Sequence, residues 1–137
     1  MTKRDSKKPT RGQLERSLSQ KVQKFYREQL GHSTGQVTCQ LNDDKLTIIV
    51  ESSLTQPEQL LLKECDIQKV EQIRSDLDGA VRPKLIQLVE EVLERQVIDL
   101  MSDTTLETGR TGFVIILSDE PQMRETAETS LKVAKAS

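Results

Sequence analysis

Aromatic side chains are nearly missing from this chain. Phe25, Tyr26 and Phe113 are the only three in 137 residues, and tryptophan is absent. Aliphatic side chains must therefore build the core, and no set of rings is available on which nucleic-acid bases would stack. Histidine occurs once and cysteine twice. One imidazole and two separated thiols do not furnish a closed tetrahedral zinc site within a subunit, so no metal is expected. Two cysteines also make no disulfide framework and fit a reducing compartment. No glycine-rich phosphate loop of either standard spacing is present, so nucleotide hydrolysis has no support and no cofactor is implied. No apolar run approaches the roughly 20 residues that cross a bilayer, and none resembles a signal-peptide core. The reading is a cytoplasmic protein without direct membrane insertion.

Charge is plentiful but unevenly placed. Residues 1–11 carry Lys3, Arg4, Lys7, Lys8 and Arg11 against Asp5. Removing those five cations and one acid from the totals of 20 and 22 leaves 15 basic and 21 acidic residues, a net −6. An acidic body with a basic tail is poorly suited to gripping phosphates along a duplex. Residues 1–11 read as a basic, disordered tail, 12–118 as one domain, and 119–137 as a polar C-terminal tail.

The organising stretch runs from Asp66 to Gln96. Val70, Ile73, Leu77, Val81, Leu85, Leu88 and Val92 follow at helical steps of three and four, one face of a long helix. Pro83 interrupts the backbone bonding, yet the stripe stays in phase, which predicts a kink. Thirty helical residues would span about 45 Å, longer than a compact domain, so either the kink wraps the helix around the core or its end projects to meet another subunit, and a homodimer is the simpler outcome.

Before it, Thr10 and Gln13 have capping-box spacing and open a helix to Leu30, with Leu14, Leu18, Val22, Phe25 and Leu30 inward and Gly31 as terminator. Val37, Cys39 and Leu41 alternate with polar residues, and Leu46, Ile48 and Val50 do so on a returning strand. Asn42-Asp43-Asp44 makes the turn of that hairpin. Ile49, on the opposite face, points to a covered edge or a partner. Thr55 and Glu58 have capping-box spacing with Pro57 in the first turn, predicting a short helix to about Lys63 with Leu60 and Leu61 inward. Gln96 to Ser102 reads as a third strand, Ile98 and Leu100 sharing a face. Gly112 to Leu117, apolar on both faces, reads as a central fourth strand. Pro121 to Ala136 reads as a weak amphipathic helix through Met123, Ala127 and Leu131. The class is α+β: a two-layer, four-stranded, mainly antiparallel sheet in the order α-β-β-α-α-β-β, with the long helix on one face.

Candidate chemistry is sparse. His32 with Cys39 would need an exposed, activated thiolate, whereas Cys39 falls on the buried side of a strand. Glu90, Glu91 and Glu94 read as a solvated helix face, with Glu91 and Arg95 as a surface pair. The polar 103–111 loop is the best ligand or partner contact, through Arg110, Thr108 and Thr111, since an arginine fork suits carboxylate or bicarbonate-like anions. The rival is a ligand-sensing or nucleic-acid-binding module using that loop or the basic tail. Gly31 and Gly35, however, lack the spacing of a GxxG loop.

A helix ending in glycine, a hairpin, Leu54-Thr55-Gln56-Pro57-Glu58-Gln59-Leu60-Leu61, an arginine-bearing helix and the strand Phe113-Val114-Ile115-Ile116-Leu117 resemble the MpsC-like domain family over residues 12–117. That family is named for a Na+-translocating, membrane-potential-generating system. Leu54, Thr55, Glu58 and Leu61 match its Leu-Thr-x-x-Glu-x-x-Leu element, where capping and packing explain the same residues. Arg74 matches the arginine of the following helix, with Asp78 as a nearby pairing acid and a partner contact as the other role. Relatives commonly have a Gly-x-Gly-Pro-like turn before the first strand, whereas residues 31–35 lack the proline. The resemblance implies a non-enzymatic accessory or regulatory protein beside a membrane complex for cation-coupled or bicarbonate uptake, peripheral to the membrane through a partner.

Overall fold

A computed structural model describes residues 8–124. Helix α1 (Arg11–Leu30) is followed by strands β1 (Val37–Asn42) and β2 (Lys45–Val50). Helices α2 (Gln56–Lys63) and α3 (Ile67–Leu93) come next, then strands β3 (Val97–Thr105) and β4 (Arg110–Leu117). The sheet order is β1-β2-β4-β3 with every pairing antiparallel. β4 is therefore central, as its two apolar faces suggest.

The α1 start is the expected capping box. Thr10 Oγ1 accepts from Gln13 N at 3.1 Å, and Thr10 N donates back to Gln13 Oε1 at 2.9 Å. These bonds satisfy amides that have no partner inside the helix. At the other end Gly31 takes the left-handed conformation, φ 60° and ψ 28°. A Cβ there would meet nothing within 4 Å, so Gly31→Ala should cost about 1 kcal/mol of backbone strain alone. Urea denaturation would register that loss without a change in cooperativity.

α1 and α3 cover one face of the sheet. Leu14, Leu18, Val22, Phe25 and Tyr26 from α1 meet Val37, Cys39, Leu41, Leu46, Ile48, Val50, Phe113, Ile115 and Leu117 from the strands. Val81, Leu85, Val89 and Leu93 of α3 complete this core. Among the described residues no helix covers the other face of the sheet, whose residues are exposed or half-exposed, and Ile67 at the start of α3 borders it beside Ile49 and Gly112.

Several expectations change. α3 runs on through Pro83, as the in-phase stripe implied, but its buried positions are Val70, Arg74, Val81, Leu85, Val89 and Leu93. Steps of four advance about 40° each around a helix, so the buried stripe winds away from the Leu88–Val92 line; both of those stay half-buried. Because burial extends to Leu93, the C-terminal end lies on the domain and does not project. In α2, Leu60 is 60% exposed and Glu58 is fully buried instead. β3 contains a bulge between Val97 and Asp99. The extra residue, Ile98, is thrown outward, and Val97 takes the inner position beside Leu100. The expected 103–111 loop is mostly strand, since β3 continues to Thr105 and only residues 106–109 form the turn. Arg95 donates to the backbone carbonyls of Glu94 and Glu120 and Glu91 accepts from Gln87, so the expected Glu91–Arg95 pair is not formed. The expected helix from Pro121 lies mainly outside the described residues. Within them Arg124 N donates to Pro9 O at 2.8 Å and Met123 packs on the core.

Candidate functional site

The end of the domain where α2 meets α3 holds the most deeply buried ion pair among the described residues. Arg74 Nη2 lies 2.8 Å from Glu58 Oε1 and its Nε 3.0 Å from Glu58 Oε2, a two-bond fork. Glu58 is fully buried and Arg74 is 9% exposed. Such a pair survives burial only when the remaining lone pairs and protons are also satisfied. Here they are. Glu58 Oε1 accepts in addition from Thr55 N at 3.0 Å and Thr55 Oγ1 at 2.9 Å. Arg74 Nη2 also reaches Ser53 O at 3.4 Å.

Local sequence explains the placement. Thr55 caps α2, and the capping-box carboxylate of Glu58 turns back toward the N-cap, which aims it at α3. Residues 64–66 reverse the chain, with Cys65 left-handed at φ 59°. Arg74 then returns on the inner side of α3, one turn after buried Val70.

A chain of hydroxyls extends this hub into the sheet. Ser53 Oγ donates to Gly109 O at 3.0 Å and contacts Thr111 Oγ1 at 2.7 Å, and Thr111 contacts Thr104 Oγ1 at 2.7 Å. Ser53 N donates to Gly109 O at 2.8 Å. Gly109 adopts φ +71°, with Leu54 packed close to where a Cβ would stand. The β3–β4 turn is thus tied to the α2 cap.

Tyr26 and Asp78 flank the pair. Burial pushes the Tyr26 phenol up to about 12, the neighbouring Arg74 cation pulling it back while Asp78 and Glu58 add to the rise. Burial also raises the Asp78 carboxyl, opposed by Arg74 and Arg82 and reinforced by Glu58 and Asp103. Arg82 itself donates to Leu100 O, tying α3 to β3.

The residues singled out from sequence do not form one site. Thr111 and Arg74 both belong to the hub, joined through Ser53. Arg110 lies on the opposite, helix-free face, where its Nε is 2.8 and 3.0 Å from the two oxygens of Glu51. Thr108 bonds to Thr105 within the turn. Leu54 is buried and Leu61 half-buried. Ser53 and Tyr26 were missed, as neither sits in a chemically suggestive pattern. His32 Nε2 donates to Ser52 O at 2.7 Å, and burial raises the Cys39 thiol to about 11, the opposite of an activated thiolate. Within the hub every Glu58 oxygen is occupied, so the arrangement fixes backbone geometry and presents no ready base or nucleophile.

Fold and hub together define a two-layer α+β domain pinned at one end by a buried ion pair. The chain belongs to the MpsC family: the family model described as Na+-translocating membrane potential-generating system (MpsC) matches residues 10–119. No curated protein and no solved structure matches the chain. No helix among the described residues is long and apolar enough to cross a membrane.

Proposed function

We propose that the protein is a non-enzymatic accessory or regulatory component of a membrane system that translocates Na+, acting from the cytoplasmic side through protein contacts. Membership of the MpsC family over residues 10–119 carries this reading. The hub supports it, because its polar groups are spent on holding α2, α3 and the β3–β4 turn in one rigid arrangement. The open sheet face supports it too, as a surface suited to protein contact. Arg110 belongs to that surface, where its pairing with Glu51 suits a role in protein contact better than capture of a free anion.

Affinity purification from the native cell in mild detergent, with mass spectrometry of the recovered proteins, tests the proposal. Recovery of membrane subunits of a cation-translocating system is expected. Repeated recovery of the protein without any membrane component would sink it.

A further inference from the structure

The strand register lays out the open face as a grid of four rows. Across β1, β2, β4 and β3 the rows read Thr38, Ile49, Gly112, Asp103; then Gln40, Thr47, Val114, Met101; then Asn42, Lys45, Ile116, Asp99. Beyond the first row lie Glu51, Arg110 and Thr105, with Glu51 and Arg110 bonded to each other. The middle is apolar: Val114 is 40% and Met101 49% exposed, with Ile49 and Ile116 half-exposed beside them. A depression of about 290 Å³ sits over Gly112, bordered by Ile49, Thr47, Met101 and Val114. Charges are confined to the margins.

We propose that this face is a self-association surface, on which a second copy of the chain packs sheet against sheet about a twofold axis running along the strands between β2 and β4. Such an axis keeps the rows and exchanges the columns, so β2 faces the other copy's β4 and β1 faces its β3. Glu51 then meets Arg110, and Arg110 meets Glu51. Ile49 meets Gly112, over which the Ile49 Cδ1 of the same copy already lies, 3.4 Å from where a Cβ would stand. Thr47 meets Val114. On the outer columns Thr38 meets Asp103 and Asn42 meets Asp99, each carboxylate facing a hydrogen-bond donor. An axis across the strands would instead set Asp99 against Asp103, like charges with no counter-ion. Lys45 meets Ile116 and Gln40 meets Met101, long polar side chains whose stems lie on apolar surface; the face is complementary to itself in charge at Glu51, Arg110, Asp99 and Asp103 under this one symmetry operation, as a closed dimer requires. Aligned sheet packing with its usual twist of about 30° accommodates the rows.

The size sets the strength. Four strands at about 4.8 Å and eight residues at about 3.3 Å give a patch near 19 by 26 Å, roughly 500 Å² in projection. Two such patches lie at the low end of specific interfaces, a size found in weak, reversible complexes. This inference does not rest on the transport reading.

The test uses the full chain with Cys65→Ser, leaving the buried Cys39 in place, and adds Gln40→Cys and Met101→Cys singly and together. Within one copy these positions are on opposite edge strands, about 14 Å apart, but they face each other across the proposed axis. A short bis-maleimide should give a covalent dimer from the double variant and almost none from either single variant. Val114→Lys should weaken self-association at least tenfold in sedimentation equilibrium, with an unchanged circular dichroism spectrum. A monomer up to millimolar concentration overturns the proposal. So does a Val114→Lys protein that associates as the parent does, or a dimer that gives no 40–101 cross-link. Protection of this face only in the presence of another protein would assign it to that partner and overturn self-association as well.

Discussion

Arg74→Ala will destabilise the fold by about 3–5 kcal/mol, because it leaves the buried Glu58 carboxylate without its counter-ion. Glu58 is fully buried, and the Thr55 amide and hydroxyl that remain cannot balance its charge. Arg74→Lys keeps the charge but loses the two-bond fork, so its loss should be smaller. Glu58→Gln leaves an amide that still accepts from Thr55 N but removes the counter-charge of Arg74, whose Nη2 retains only the 3.4 Å contact to Ser53 O. Combining Arg74→Ala with Glu58→Gln removes both charges and should lose less than the two single variants summed, giving a favourable coupling energy in the double-mutant cycle. Urea denaturation of all four variants measures this, and Arg74→Lys covers the case where the alanine variant does not fold. Additive single-variant effects would show that the pair is not coupled and that the hub reading is mistaken. The penalty matters because whole-domain stabilities are about 5–15 kcal/mol.

Much of the architecture was legible in the sequence, and the exceptions have physical causes. The α1 cap, the β1–β2 hairpin and the central place of β4 follow from local chemistry and from periodicity, both of which act within a few residues. The hub was half legible. Thr55 and Glu58 announced a cap, but a cap is normally solvated, and nothing in the spacing says that its carboxylate is sealed under α3. The usable signal was Arg74 itself, which stands four residues after Val70 and seven before Val81, in phase with buried positions. A cation there needs a buried acid, and Glu58 was the acid whose local geometry turned it inward. Leu60 was misplaced for the reciprocal reason: once Glu58 faces inward, Leu60 two residues on is carried about 200° around the helix to solvent. The outward displacement of Ile98 depends on a bulge that alternation in a single strand does not reveal. The self-complementarity of the open face was invisible for another reason. It exists only after strand order and register bring Glu51 beside Arg110 and leave Gly112 between Ile49 and Asp103.

Two buried acids make the protein sensitive to alkali, and the sign follows from their direction. Tyr26 is raised from 10.0 to about 12, mainly by burial, and Cys39 from 9.0 to about 11, again mainly by burial, with Ser19 opposing and Glu15 adding. Both are neutral when protonated, so a raised folded-state pKa means that the folded protein holds the proton more tightly than the unfolded chain. Their contribution is fully present below the unfolded values and is lost as pH rises through the folded ones. Cys39 therefore acts between pH 9 and 11, and Tyr26 between pH 10 and 12. At about 1.4 kcal/mol per unit, each accounts for a few kcal/mol of alkaline loss. Urea denaturation from pH 8 to 12 should show stability falling steeply above pH 9. Tyr26→Phe should flatten the upper part of that fall and Cys39→Ala the lower part, even though each substitution lowers stability at pH 8. An unchanged slope between pH 10 and 12 in Tyr26→Phe would mean that other groups carry the alkaline loss. The phenol also reports on the hub. Arg74 is the one cation pulling the Tyr26 value down, so in Arg74→Lys, whose ammonium has an ordinary pKa of about 10.4 and gives up its charge in this range, the Tyr26 portion of the fall should shift to higher pH.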